Sequence, residues 1–256
     1  MTLLLTLLLW LISPTAQAAL DCDGSNDYVA VDASTTLDAT STGFSVGAWI
    51  YVNAAGEQSI IGRRGPGFSP GAGGYQLRVQ DAAFPLTVRC VVKSAASGDE
   101  AVFDYDNISQ NTWTHVACTF NNSTDAVELY VNGVDQGGGS TTRDPATTPT
   151  TVNLAVCDDY AYGGSPPGNN LDGQIEDAFF SNAVLSANDV AIIALSRGKR
   201  MPLQFSGMQM LLPLDDCGSG ATCPSGNDAA LDLTSNRNGG DYTGSPVGAA
   251  GVLTYP

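Results

Sequence analysis

Thr114-His115-Val116-Ala117-Cys118-Thr119-Phe120, with Ala126-Val127-Glu128-Leu129-Tyr130-Val131-Asn132-Gly133 close behind it, is the most telling stretch of this chain. Both runs are short and rich in β-branched and aromatic residues, and apolar side chains recur at every second position. That period places one set of side chains on a dry face and the other on a wet one, as in a half-buried β-strand. Asn132-Gly133 ends the second run with two residues that tolerate positive φ, the chemistry of a tight hairpin turn.

The same signals extend in both directions. Tyr28 to Val31, Phe44 to Val52, Leu86 to Val92 and Gln174 to Phe180 read as further strands. Gly, Pro, Asn and Asp clusters at Gly65 to Gly74, Gly137 to Thr150 and Gly163 to Asn170 read as the loops between them. Many short strands with such punctuation predict an all-β antiparallel sandwich, a jelly roll. One helix interrupts it. Ser186 and Asp189 form a capping box before Ala187 to Ser196, and Val190, Ile193 and Ala194 give an apolar stripe. Gly198 with Arg197, Lys199 and Arg200 suits its C-terminal end, and the helix is expected as a lid over an open end of the sandwich. In the tail, Leu211 to Asp216 and Val252 to Tyr255 are candidate strands, and Asp232 to Gly244 reads as polar and turn-rich.

The chain divides on these grounds into a leader (1–18), a sandwich (19–200) and an extension packed on the same body (201–256). Met1 to Ala18 is uncharged, leucine-rich and ends Ala16-Gln17-Ala18, a secretory signal cut after Ala18. It lacks the usual basic n-region, and its length is also near the lower limit for an uncleaved membrane anchor. The formal charge of −16 repels phosphate backbones and anionic lipid, which excludes nucleic acid and membrane surfaces as partners. The six cysteines, an even number in an exported chain, favour disulfides. Cys217–Cys223, closing a small Gly/Ser/Thr/Pro loop, is the pairing expected; the connectivity of Cys22, Cys90, Cys118 and Cys157 stays open. None shows C-x-x-C spacing, which argues against a zinc site.

Four blocks carry a family resemblance. Leu20-Asp21-Cys22-Asp23-Gly24-Ser25-Asn26-Asp27-Tyr28-Val29 resembles an opening "F-D-G-x-x-D-Y-V" strand, and Phe44-Ser45-Val46-Gly47-Ala48-Trp49 an "F-T-I-S-A-W" strand. Trp113-Thr114-His115-Val116-Ala117 with Glu128-Leu129-Tyr130-Val131-Asn132-Gly133 resembles "W-x-H-V-A … L-Y-V-D-G". Leu171-Asp172-Gly173-Gln174-Ile175-Glu176-Asp177 through Leu185-Ser186-Ala187 resembles "F-x-G-x-I-D-D-V" running on to "R-A-L-S-A". In this order they are similar to the laminin-G-like, concanavalin-A-like lectin and glucanase jelly rolls. The resemblance implies the fold, but that superfamily holds lectins, adhesive modules, hydrolases and structural units. It also implies Ca²⁺ held by Asp23 and Glu176 with nearby carbonyls, and it makes His115, Trp49 and Trp113 scaffold.

Catalysis lacks parts. Glycan hydrolases need two nearby carboxylates, and none of Glu57, Glu100, Glu128 and Glu176 has the neighbourhood of the family's catalytic strand. Glu176 and Asp177 are adjacent and so point to opposite faces of a strand. His115 is the sole histidine, so a nucleophile has no ordinary partner base. Asp158-Asp159 with Asp172 form a second acidic cluster that oxygen-loving Ca²⁺ could use. For a ligand, the candidates flank two Gly-rich loops: Arg63, Arg64, Phe68 and Tyr75 on one, Tyr160, Tyr162 and Asn169 on the other. Aromatic faces stack on sugar rings, while Arg and Asn hydrogen-bond hydroxyls. The function expected is a non-catalytic extracellular or surface module binding glycan or protein, assisted by calcium. The alternative is a self-assembling subunit of a coat, filament or virion decoration; a glycan-active hydrolase comes third.

Overall fold

The hairpin at Asn132-Gly133 forms with both residues at positive φ (51° and 76°) and joins two antiparallel strands. It belongs to a computed structural model that describes residues 18–64, 73–94, 96, 100–145, 152–158, 169–197, 201–217, 219–226 and 228–250. In chain order the strands are β1 (Ala18–Asp23), β2 (Tyr28–Val31), β3 (Gly43–Val52), β4 (Gln58–Arg64), β5 (Gly74–Gln80), β6 (Leu86–Lys93), β7 (Glu100–Ile108) and β8 (Thr114–Asn121). They continue with β9 (Ala126–Val131), β10 (Val134–Ser140), β11 (Leu154–Val156), β12 (Asp172–Ser181), the helix α1 (Ala187–Leu195), β13 (Met208–Leu212), β14 (Gly240–Thr243) and β15 (Val247–Ala250).

Two antiparallel sheets result. The first runs β10-β9-β8-β3-β12-β1-β15, with β13 continuing β1's side of β12. The second runs β14-β2-β11-β4-β5-β6-β7. Alternation explains the sandwich between them. Phe44, Val46, Ala48, Ile50 and Val52 of β3 face Tyr75, Leu77 and Val79 of β5 and Leu86, Val88, Cys90 and Val92 of β6 in one core, all with almost no exposed surface. Each such side chain removed from water contributes about 1.5–3 kcal/mol.

The disulfide Cys217–Cys223 forms as expected, and two more tie sheet to sheet: Cys90–Cys118 joins β6 to β8, and Cys22–Cys157 joins β1 to the residue after β11. The tail does more than pack on the sandwich. β13 and β15 extend the first sheet and β14 the second, so these strands of the extension complete both. The expected strand at Leu211 to Asp216 lies slightly earlier, at Met208–Leu212, and the polar stretch to Gly244 contains β14. The glycines after Val134 form the edge strand β10 rather than a loop, because the tight turn leaves them in register with β9. Val252 to Tyr255 lies outside the described residues.

The helix also departs from expectation. Its capping box is present, with Ser186 Oγ accepting from the Asp189 N–H at 3.2 Å and Asp189 Oδ2 accepting from the Ser186 N–H at 3.0 Å. Its apolar stripe, however, does not close an open end. Val190 and Ile193 pack with Leu185 on Ala117, Tyr130, Phe179 and Leu211, which point outward from the first sheet. That outward face is itself apolar, so burying it outweighs capping an end. Gly198, Lys199 and Arg200 lie outside the described residues.

Candidate functional site

The loop-flanking residues singled out from sequence separate onto two faces. Arg63 ends β4 with its side chain turned into the sandwich, fully buried, donating from Nε to the Val152 carbonyl at 2.9 Å and pairing with Asp38. Tyr75, directly opposite Arg63 on β5, is also fully buried. Its hydroxyl donates to the Leu37 carbonyl at 2.9 Å and its ring stacks on Phe180 at 4.8 Å. Neither is available to a ligand; both are core. Arg64, one residue on, points outward and donates to Glu100 at 2.5 Å. Asn169 is exposed and donates to Glu57 at 3.3 Å. Tyr160, Tyr162 and Phe68 lie outside the described residues.

Arg64 and Asn169 border a larger polar surface, the outer face of the second sheet. Register places its side chains in rows across β4, β5, β6 and β7. One row is Ser59, Arg78, Arg89 and Asp104; the next is Gly62, Gln76, Val91 and Val102; the third is Arg64, Gly74, Lys93 and Glu100. Arg78 donates to Glu57 at 2.8 Å, and Arg89 grips Asp104 through Nε at 2.7 Å and Nη2 at 2.6 Å. Glu57, Arg78, Arg89 and Asp104 thus run as two ion pairs end to end, with the two guanidiniums side by side at the centre and a carboxylate at each end. Partial burial pushes the Arg78 guanidinium down, with Glu57 opposing, while the hydrogen bonds that Arg89 donates to Asp104 hold Arg89 up. Among the described residues of this surface, Gln76 Oε1 and Arg78 Nε are enclosed and have no hydrogen-bond partner. Gln76 fits because Gly62 beside it has no side chain; a Cβ there would lie 3.0 Å from Gln76 Cγ. Enclosed polar atoms without partners are uncommon in native folds and mark places where a ligand or water is accommodated. Gln76, Arg78, Arg89, Glu57 and Asp104 were not singled out from sequence, although Tyr75-Gln76-Leu77-Arg78-Val79-Gln80 alternates without a break.

The outer face of the first sheet is chemically different. A β-bulge after Glu176, with Asp177 at φ 50°, turns both Glu176 and Phe179 outward. Arg197, just past α1, pairs with Glu176 through Nε and through Nη2 at 3.0 Å. Its guanidinium lies 3.7 Å from the Trp113 ring centroid and 5.3 Å from that of Trp49. Burial pushes the Glu176 carboxyl up, with Arg197 opposing. His115 sits beside Trp49 and Phe179, fully buried with neither ring nitrogen bonded, and burial pushes it down to about 3.

This arrangement does not suit the calcium site implied by the resemblance. Asp23 opposes Asp172 at one end of β1, and Glu176 lies four positions further along β12, about 13 Å away at strand spacing. Asp23 Oδ1 is engaged by the Ser25 and Asn26 N–H groups, and Glu176 by Arg197. Among the described residues no three His, Cys, Asp or Glu side chains gather around one point. Asp158 is buried after β11, and Asp159 lies outside the described residues.

A family model described as the concanavalin A-like lectin/glucanases superfamily matches residues 23–191. No curated protein matches in sequence. Among solved structures, a candidate carbohydrate binding protein from Bacteroides ovatus ATCC 8483 superposes with a TM-score of 0.62 at 18% identity, covering 92% of this chain. This chain spans only 60% of that protein's length. A heptameric SAP-like pentraxin from Limulus polyphemus gives 0.56 at 13% identity over 70% of this chain and 82% of its own. The CBM40 of a Ruminococcus gnavus IT-sialidase, bound to α2,3-sialyllactose, gives 0.50 at 12% identity over 68% of this chain and 96% of its own. At such identities these likenesses show the fold.

Proposed function

This chain belongs to the concanavalin A-like lectin/glucanases superfamily, and on that premise we propose that it is a non-catalytic extracellular module that binds glycan on the outer face of its second sheet. The observation that carries this reading is the row Glu57, Arg78, Arg89, Asp104 with the partnerless Gln76 Oε1 and Arg78 Nε beside it. Ion pairs across adjacent strands hold the guanidiniums in place before any ligand arrives, so binding costs little side-chain entropy. Each guanidinium presents donors in a rigid fork, and each carboxylate presents acceptors, a pattern matched by vicinal sugar hydroxyls. The structural neighbours from Bacteroides ovatus and Ruminococcus gnavus, one a candidate carbohydrate binder and one holding sialyllactose, support the same reading.

The state of the acids supports a module without catalysis. Glu57, Glu100 and Glu176 are each paired with an arginine, Arg78, Arg64 and Arg197. A hydrolase instead needs one carboxyl free to protonate the leaving oxygen and another to attack or to activate water. His115 is enclosed beneath aromatic rings and reaches no solvent. Three disulfides and a leucine-rich leader support an oxidising, extracellular setting.

Glycan-array screening of the chain beside an Arg78→Ala/Arg89→Ala variant tests the reading. The expected result is binding to a defined set of glycans that the variant loses by about tenfold or more, as for the central residues of a binding face. Equal binding by the variant would move the site elsewhere. A blank array together with large assemblies by light scattering would replace the reading with that of a structural subunit.

A further inference from the structure

The charge arrangement on the proposed face narrows the class of glycan. We propose that the face takes a neutral, hydroxyl-rich glycan and rejects uronic, sialylated and sulfated ones; this rests on the glycan-binding reading above.

Every cation among the described residues of the face has an acidic neighbour. Against Arg64, Arg78, Arg89 and Lys93 stand Glu57, Asp81, Glu100, Asp104 and Asp106. Asp81 and Asp106 both bond the Thr87 hydroxyl, the latter at 2.6 Å, at the end of the same sheet. An anionic group therefore meets no positive surplus here. To reach Arg89 it must break the two-point hold of Asp104, and to reach Arg78 it must share that side chain with Glu57. The displaced carboxylate would remain next to the incoming anion, where like charges at contact distance repel. The chain's formal charge of −16 adds a long-range penalty of the same sign.

A hydroxyl group faces none of this. Among the described residues a neutral acceptor, Gln76 Oε1, and a donor, Arg78 Nε, lie two residues apart on β5, enclosed and without a partner. A hydroxyl both donates and accepts, so it can satisfy either atom, and two hydroxyls can satisfy both, without disturbing an ion pair. An amide oxygen, by contrast, repels the oxygens of a carboxylate or sulfate. The contacts within the row are already made in the free protein, and discrimination comes from the carboxylates that flank the guanidiniums, a built-in element against the wrong ligand.

Affinity electrophoresis of the full chain separates the two levels of the claim. Gels carrying neutral polysaccharides (laminarin, galactomannan and xyloglucan) are compared with gels carrying heparin, alginate and polysialic acid. Retardation by at least one neutral polymer and by none of the anionic ones, with little change on adding salt, is expected. Gln76→Ala should weaken that binding about tenfold, the loss of a buried hydrogen bond, and Glu57→Gln should let an anionic polymer bind by releasing Arg78. Glu57 is open to water whereas Gln76 is enclosed, so an unchanged near-UV spectrum and an unchanged unfolding midpoint check that both variants fold. Retention on an anionic gel equal to or stronger than on the neutral ones, weakening steeply with salt, would overturn the inference while leaving glycan binding intact. No retention on any gel, with a blank array, would overturn both.

Discussion

The two outer faces of this sandwich are built from the same alternating strands and put to opposite uses. On the first sheet, Phe179, Tyr130 and Ala117 are covered by α1, and the ion pair of Glu176 with Arg197 is pinned against Trp113. On the second, the outward side chains are mostly polar and charged, paired across strands and in part open to water: Asp104 keeps 36% and Glu57 43% of its side-chain surface exposed. An ion pair therefore means different things on the two faces. Where it is enclosed it is structural, because removing one member strands a buried charge. Where it is wet it adds little to stability and its donors remain available for recognition.

The sharpest way to break this contrast is Arg197→Ala. It leaves Glu176, 1% exposed, without its partner, and the expected loss is about 3–5 kcal/mol in urea or guanidinium unfolding. Phe179→Ala, which empties the layer between the first sheet and α1, should cost about the same, 3–5 kcal/mol by the same measurement, with loss of protection for α1 amides in hydrogen exchange. A loss under about 1 kcal/mol for either would mean that the helix layer is not a true core.

Acid should act on the first face next. His115 is held down to about 3 by burial, so the folded protein keeps it neutral. The stability that this represents is complete above the unfolded value of about 6.5 and is lost as pH falls from there toward 3, by up to about 1.4 kcal/mol per pH unit. Glu176, pushed up by burial, acts in the opposite sense and blunts the decline. Unfolding followed from pH 7 to pH 4 should therefore show a slope that His115→Gln flattens. An unaltered slope in the variant would place the acid sensitivity elsewhere. The smallest effect belongs to the second face: Arg89→Ala should change stability by only about 0–1 kcal/mol, while the same substitution weakens glycan retention. A stability loss comparable to that of Arg197→Ala would make the row structural and remove the contrast.

How far each feature could be read in advance follows from the range of the interactions that make it. The capping box at Ser186 and Asp189, the Asn132-Gly133 turn and the small Cys217–Cys223 loop depend on neighbours in the chain and were legible. Arg63 and Tyr75 were not, because a polar side chain beside a Gly-rich loop reads as exposed. Their burial depends on Asp38, Leu37 and Val152, which come from distant parts of the chain. Gln76, Arg78, Arg89 and Asp104 carry no signal in the sequence for a related reason. Each is an ordinary outward residue on its own strand, and the row exists only once the register of β4 to β7 is known.

Period-two alternation, turn chemistry and four motif blocks by themselves determined a jelly-roll sandwich, since these reflect the pleat of single strands and the φ values of single residues. The tertiary structure alone decided which of the two outer faces α1 covers, how the tail completes both sheets, and which polar residues meet. Those outcomes depend on register and on contacts between residues far apart in the chain. A shift of one residue exchanges the faces of a strand, and the bulge at Asp177 makes such a shift within β12, turning Glu176 and Phe179 to the same side.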